Sequence, residues 1–578
     1  MLGRRTSQAP SAFSGRILVL GAFFFVFSGV IIFRLFGMQV LQHSFYVALA
    51  SQSQEVYRDL LPERGSIYVR EQGELYPLVT NRDYYNVYAE PNKISSPQKV
   101  IDAIVPILKL TEEEWKPMVP KLAKSDDPYE PIKRKVSQEQ IEQLGKLAVD
   151  GIGWVSESYR YYPERNLGGH LFGFVGQSDG RRIGQYGLEG YFNDELTGKS
   201  GLEHSVKDAL GALITIGPRS IQKAQNGDDL VLTIDRQIQF MACSKLKEFY
   251  DWYEAEQGSV IVLNPKTGAV LAMCNFPDFD PEQYGEVQNI DYFNNPSTFY
   301  GYEPGSVMKS ITMAAALDQG KVTPATTYQD TGEVKVGPYT IRNFDRQTYG
   351  EQTMTQVLAQ SLNLGAMFAA EQIGGGVLRD YIEAFGFGKA TGIELDSESA
   401  GDIASLSKRG DVYYLTASFG QGITVTPLQL AAAYAAVANN GILMQPHVVA
   451  ERISHDGGTT VIQPKEVRRV LQPKTATILT GMLTEVVESS YDRKARVPGY
   501  YLAAKTGTAQ VSSPTGGYSN QTIHTIVGYG PVTDPRFVIL VKIDKLKQGP
   551  TYASDSVGPL FSQLARSILD YYQIPPDY

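Results

Sequence analysis

An uncharged apolar run, ILVLGAFFFVFSGVIIF, fills Ile17 to Phe33. Spanning a bilayer takes roughly 17–25 apolar residues. The run reaches that length, and extends to Val40 if the Arg34 guanidinium snorkels to the interface. A helix from a soluble core would show a polar face, and this run shows none. Arg4, Arg5 and Arg16 precede it, so the positive-inside rule keeps residues 1–16 as a short cytoplasmic tail. The rest of the chain then lies outside the cytoplasm. A cleaved export signal is the competing reading, since Ala48-Leu49-Ala50 resembles a cleavage site. That triplet lies too far beyond the apolar run, so an uncleaved single-pass anchor over residues 17–40 is expected.

The chain has 578 residues, too many for one hydrophobic core, and two or three domains are expected. A net charge of -9 argues against a nucleic-acid binder, which would carry a basic face. Two cysteines, Cys243 and Cys274, make no disulfide framework; both read as buried free thiols, with a single bridge left open. The histidines are scattered and none has metal-ligand spacing, so neither a metal nor another cofactor is expected.

Beyond the anchor, residues 41–220 read as an elongated α+β pedestal. Short strand and turn patterns flank a helical, charged insertion over about residues 96–147. Glycine clusters follow, as in GGHLFGFVGQSDGRRIGQYGLEG. Residues 221–578 read as a second α+β domain. It opens with the strand NGDDLVLTID and a helix from Arg236 to about Trp252. SVIVLNPKTGAVLAMC is a hairpin pattern, and IHTIVGYGPVTDPRFVILVKID is another. Between them lies a mostly helical stretch, Ser306 to about Val437, and an amphipathic helix closes the chain. Strands at both ends with helices between predict one antiparallel sheet sandwiched by helices.

The stretch YEPGSVMKS carries the first chemical signal. Pro304-Gly305 forces a turn, and SVMKSITMAAALDQG continues as a helix to Gly320. Ser306 falls in its first turn, where unpaired N–H groups favour a developing oxyanion. Lys309, three residues on, shares its face among apolar neighbours. Desolvation favours a neutral lysine, which can take the serine proton. By itself this spacing is common. QSLNLG then places Ser361 and Asn363 two apart at a junction between helical patterns. A hydroxyl and an amide there can relay a proton and grip a peptide. YLAAKTGTAQV sets Lys505, Thr506, Gly507 and Thr508 on a strand pattern. An edge strand of this kind can pair with an extended peptide. Gly507 permits close approach, and Lys505 with the threonine hydroxyls can bind a terminal carboxylate. The Thr508 N–H is a candidate second oxyanion donor beside that of Ser306. A second KTG, Lys266 to Gly268, reads as a hairpin turn.

SxxK, SxN and KTG in this order resemble the signature of penicillin-binding proteins and serine β-lactamases. ERGSIY, RYYPERNLGGHLFGFVG, GQYGLEGYFNDELTGKSG and FGQGITVTPLQLAAAYAAVANNG extend the resemblance to the class B penicillin-binding proteins over nearly all of the chain beyond the anchor. Glu303 before PGS and the asparagine of SxN resemble the septal division branch more than the elongation branch. The resemblance implies a multidomain α+β chain: a transmembrane helix, a dimerisation-type pedestal and a β-lactamase-like transpeptidase domain. No glycosyltransferase domain and no further C-terminal domain are expected.

The resemblance further implies a peptidoglycan D,D-transpeptidase that works through a serine acyl-enzyme during cell-wall synthesis, in the bacterial cytoplasmic membrane. Ser306 is the implied nucleophile and Lys309 its base; Ser361 and Asn363 assist. Lys505, Thr506, Gly507 and Thr508 bind substrate. D-Ala-D-Ala stem peptides and β-lactams are the implied ligands. A SEDS-family glycosyltransferase and other division or elongation membrane proteins are the implied partners, docked on the glycine and arginine motifs of the pedestal. A D,D-carboxypeptidase, an elongation-type enzyme acting in cell shape, and a non-catalytic scaffold remain open alternatives. Val307-Met308, Leu362 and Val69 depart from the residues usual at their positions.

Overall fold

The computed structural model describes residues 12–44, 55–165, 167–178, 181–206, 220–489, 491–512 and 517–578. Arg4, Arg5 and Ala48-Leu49-Ala50 lie outside these residues. The chain divides into two compact units, residues 1–62 with 199–225 and residues 63–198 with 226–578.

The first unit holds helix α1 (Ala12–Phe36), which continues into a π-helical turn, Gly37–Leu41. Ile17–Leu41 is long and apolar enough to cross a membrane, and 0% of it is buried against protein. In lipid a backbone must satisfy its own polar groups, and a helix does so. Among the described residues this is the one such helix, as in a single-pass membrane protein. The unit also contains an antiparallel sheet of β1 (Glu55–Leu60), β6 (Gly201–Val206) and β7 (Ser220–Gln222), in the order β1-β6-β7.

The second unit contains a sheet that joins strands from both sides of residue 220. Its order is β12 (Thr459–Val461), β11 (Val449–Ile453), β8 (Asp229–Leu232), β2 (Ile67–Glu71), β3 (Glu74–Ala89), β4 (Glu130–Val136). β5 (Ile152–Tyr161) also pairs with β3. β8 runs parallel to β2, with Leu230 opposite Ile67, and antiparallel to β11. The region expected to be a helical insertion contains α2 (Pro97–Leu108) and α3 (Gln138–Leu147), but β4 interrupts it. In β4, Ile132 and Val136 are buried in one core with Ile104, Leu108 and Leu144. A capping box starts α3, with the Ser137 hydroxyl accepting from the Gln140 N–H.

Two of the motif arginines, Arg64 and Arg160, turn inward instead of presenting charge to a partner. Arg64 and Arg160 both donate to Glu189, at 2.6 Å each, and the carboxylate is fully buried. Burial alone would raise the Glu189 carboxyl; the two guanidinium groups outweigh it and hold it below its ordinary value. Gly65 is equally structural, because a Cβ there would meet the Asp228 carbonyl oxygen at 1.9 Å.

The predicted antiparallel sheet has five strands. Its order is β10 (Val270–Phe276), β9 (Gln257–Leu263), β15 (Phe537–Asp544), β14 (Tyr518–Gly530), β13 (Ala503–Ser512). Both faces are covered, which explains the nearly continuous apolar run in β9. Val260 and Val262 face α4 (Arg236–Trp252) and α10 (Ala553–Tyr571), in a core with Leu246 and Phe561. Ile261 and Leu263 face the opposite core, shared with α5 (Lys309–Asp318) and α8 (Pro427–Ala438). The stretch expected to be mostly helical also carries two small hairpin pairings, 327–330 with 350–353 and 333–336 with 339–342.

The cysteines correct the sequence reading. Cys243 on α4 and Cys274 on β10 form a disulfide, with their Cα atoms 5.3 Å apart. A helical pattern and a strand pattern gave no hint of pairing until α4 packed across β10. The bridge closes a sequence separation of 31. Replacing both cysteines by alanine should lower unfolding stability by about 2–5 kcal/mol, because the bridge ties a helix to a strand inside one core. Thermal unfolding of the full chain in detergent checks this; an unchanged midpoint would contradict it.

Candidate active site

The turn that carries Ser306 is fixed from both sides. Tyr302 and Val425 exchange backbone hydrogen bonds at 3.0 Å, and the Gly305 N–H donates to the Gly420 carbonyl at 3.1 Å. Gly305 has φ +61°, and a Cβ at Gly420 would meet the Gly305 oxygen at 2.2 Å. Only glycines allow this approach. The Glu303 carboxylate accepts from the Gly422 N–H (2.9 Å) and from the Tyr518 hydroxyl (3.0 Å). Burial raises its pKa. The helix expected from Ser306 begins as a 3-10 turn, Gly305–Met308, and becomes α5 at Lys309.

Lys309 is 1% exposed. Its Nζ lies 3.0 Å from Ser306 Oγ and 3.2 Å from Ser361 Oγ, and also donates to the Ser361 carbonyl oxygen. Burial drives its pKa well below the ordinary lysine value, and the nearby Lys505 charge adds to this; Asp345 opposes both. A neutral amine has two N–H donors and one lone pair. The donors suit the two Ser361 oxygens, and the lone pair can take the Ser306 proton.

Ser361 and Asn363 flank the junction of α6 (Met354–Ala359) and α7 (Asn363–Ile373). Ser361 has φ +57°, an uncommon conformation for a residue with a Cβ, and both of its oxygens reach the same amine. Asn363 stands apart from the other site residues. Its Nδ2 donates to the Arg342 carbonyl (2.9 Å), and its N–H donates to Asn343 Oδ1 (3.0 Å). It thereby holds the 342–345 segment, of which Asn343, Phe344 and Asp345 line the cleft.

The KTG stretch lies on β13, the edge strand of the five-stranded sheet. Lys505, Thr506 and Thr508 line the cleft with Ser306 and Ser361. A Cβ on Gly507 would meet the Pro304 oxygen at 2.8 Å, so glycine lets the strand lie against the Ser306 turn. The Thr508 hydroxyl accepts from the Ala553 N–H at 3.1 Å, tying the strand to the start of α10. The other KTG, at Lys266, is a turn between β9 and β10 with its lysine paired to Asp534. Sequence reasoning missed Phe344, Asp345, Gln360 and Tyr552, which complete the cleft. The Phe344 and Tyr552 rings meet edge to face, 5.9 Å apart. None of the four is a residue of the SxxK, SxN or KTG signatures; Gln360 and Tyr552 stand at helix ends, and Phe344 and Asp345 on the segment after Arg342.

A buried lysine against a serine, a second serine on the same amine and a lysine-bearing edge strand define a serine acyl-transferase built to hold an extended peptide. The comparisons with known proteins agree. Residues 258–566 match the penicillin-binding protein transpeptidase domain, and residues 59–232 match the penicillin-binding protein dimerisation domain. The chain is 31% identical over 561 residues to Stage V sporulation protein D of Bacillus subtilis, covering 96% of this chain and 86% of that one. It is 32% identical over 450 residues to Peptidoglycan D,D-transpeptidase FtsI of Escherichia coli, covering 77% and 73%. Among solved structures, penicillin-binding protein 3 of Mycobacterium tuberculosis in complex with aztreonam superposes with a TM-score of 0.69 at 25% identity, over 90% of this chain and 98% of that one.

The chain belongs to the class B penicillin-binding proteins. It is a penicillin-binding D,D-transpeptidase, and within the class it stands in the septal division branch.

Lys505→Gln removes the positive charge that helps hold Lys309 neutral. The Lys309 pKa should then rise, and the acid limb of the acylation rate should move to higher pH. The pH dependence of labelling by a fluorescent penicillin reads this. An unmoved limb would show that Lys505 has no electrostatic hold on Lys309.

Proposed function

We propose that Ser306 attacks the penultimate D-Ala carbonyl of a peptidoglycan stem peptide, with Lys309 as base. The supporting observation is the buried Lys309 Nζ, 3.0 Å from Ser306 Oγ. As the serine oxygen bonds to carbon, its proton passes to Nζ, and the oxyanion is met by the Ser306 and Thr508 N–H groups. Ser361 relays that proton to the leaving amine, the C–N bond breaks, and the terminal D-Ala departs. Lys505, Thr506 and Thr508 hold its carboxylate, while Gly507 keeps the strand close to the nucleophile. Asn363 gives its amide to the peptide in exchange for its bond to Arg342. In the second step an amine of a neighbouring stem attacks the ester carbon. A C–N bond forms, the C–Oγ bond breaks, and the amine's proton returns to Ser306 through Lys309. β-Lactams enter the same path and stop at the acyl-enzyme.

The reading extends to place and partners. The basic tail lies in the cytoplasm and the catalytic region outside the cytoplasmic membrane, at the division septum. Residues 221–578 carry the chemistry. Residues 41–220 form the pedestal, which docks a SEDS-family glycosyltransferase through surface other than the buried Arg64 and Arg160.

Ser306→Ala should abolish covalent penicillin labelling with the fold intact. Lys309→Arg should lose most acylation, since a guanidinium stays protonated at any working pH. Normal labelling of the first variant would remove Ser306 as nucleophile, and normal labelling of the second would remove Lys309 as base.

Deleting residues 1–40 should leave a protein that still forms a penicilloyl adduct. Exported without a tether, it should fail to replace the full chain in division, because the effective concentration at the membrane is lost. Full rescue of growth would show that the anchor is dispensable.

A further inference from the structure

The proposed reaction brings two peptides to one serine, and the cleft around Ser306 accounts for only one of them. A second, open groove adjoins it. Its walls are α6 and α9 (Pro473–Ser489), and it shares Ala359 and Gln360 with the active-site cleft. It runs back along α6 to Thr353, the N-cap of that helix. The six residues of α6 rise about 9 Å, roughly the reach of three extended peptide residues.

The lining has the chemistry of a peptide site. Thr355 and Thr477 donate their hydroxyl protons to the Pro324 and Pro473 carbonyls, and Thr353 and Gln356 close the capping box of α6. The two hydroxyl oxygens can still accept and the Gln356 Nε2 can still donate, while Glu485 supplies a carboxylate. At the junction with the cleft, Gln360 Oε1 is buried and has no hydrogen-bond partner among the described residues. An acceptor atom left in that state costs about 1–3 kcal/mol. Gly481 on α9 faces open space in the groove, with nothing within 4 Å of the position a Cβ would take.

We propose that this groove binds the acceptor substrate, the amine-bearing stem peptide of a second strand. Glu485 attracts the peptide while its amine is still an ammonium ion, the threonine and glutamine side chains hold its amides, and Gln360 accepts from the amine once it has lost that proton to solvent and stands beside the acyl-enzyme. This rests on the acyl-transfer reading of Ser306. A donor peptide is not the occupant, because its carboxylate end belongs with Lys505 across the cleft, and Glu485 would repel it.

The test uses the full chain in detergent, an acyl-D-alanyl thioester as donor, and two acceptors. One is a synthetic stem tripeptide with a side-chain amine, long enough to lie in the groove; the other is free D-alanine, too short to do so. Gly481→Trp fills the groove, and Glu485→Lys reverses its charge at an exposed position. Each should cut transfer to the tripeptide by about tenfold to a hundredfold, with hydrolysis rising in its place. Transfer to D-alanine and labelling by fluorescent penicillin should stay within about twofold of the parent chain, since neither residue lines the Ser306 cleft. Unchanged transfer to the tripeptide in both variants overturns the groove assignment, and so does an equal loss with both acceptors. Failure of the unaltered chain to form any acyl-enzyme would instead overturn the reading of Ser306, and the groove proposal with it.

Discussion

The Lys309 amine lies out of water, 3.0 Å from Ser306 Oγ, and the surrounding structure serves to keep it there. A lysine in that setting is costly as an ammonium ion. Each unit by which its pKa falls represents about 1.4 kcal/mol of lost preference for the charged form. Burial removes solvent, and Lys505 adds like charge. What remains is a base with its lone pair free for a serine proton. The two Ser361 oxygens take its N–H groups, so the amine is oriented as well as lowered in proton affinity.

That placement requires three separate parts of the chain to converge. The 3-10 turn from Gly305 needs Gly420 beneath it, and the β13 edge strand needs Gly507 to lie against it. The strand is itself fixed by the five-stranded sheet, whose two faces are packed by α4 and α10 on one side and by α5 and α8 on the other. The sheet of β8 and β11 joins the pedestal strands β2 and β3 to the same unit. The site is therefore assembled from local turns held by long-range packing, which a change in sheet register would disperse.

Local signals were legible in the sequence. The helix read from Arg236 to Trp252 has those bounds in the structure, the KTG run is an edge strand, and the Lys266 copy is a turn. Ser306 and Lys309, three apart, lie within hydrogen-bond distance, and Ser361 reaches the same amine from 52 residues on, which no spacing foretells. What stayed hidden depends on distance along the chain. Arg64 reads as surface charge until Glu189, 125 residues on, closes over it. The Cys243–Cys274 bridge joins a helix to a strand whose crossing no local pattern reveals. Phe344, Asp345 and Gln360 carry no motif, and the turn of Asn363 toward Arg342 follows from a loop whose path the sequence does not encode locally.

The proton affinity of Lys309 is the quantity on which the account stands. Full-length protein with 13C at the lysine ε carbons, assigned by comparison with Lys309→Arg, allows that one side chain to be titrated by NMR. The account predicts a midpoint well below the ordinary lysine value of 10.5, with the amine neutral at the pH where acylation is fast. A midpoint at or above 10.5 would leave Lys309 an ammonium ion at every working pH, and would contradict its role as the base.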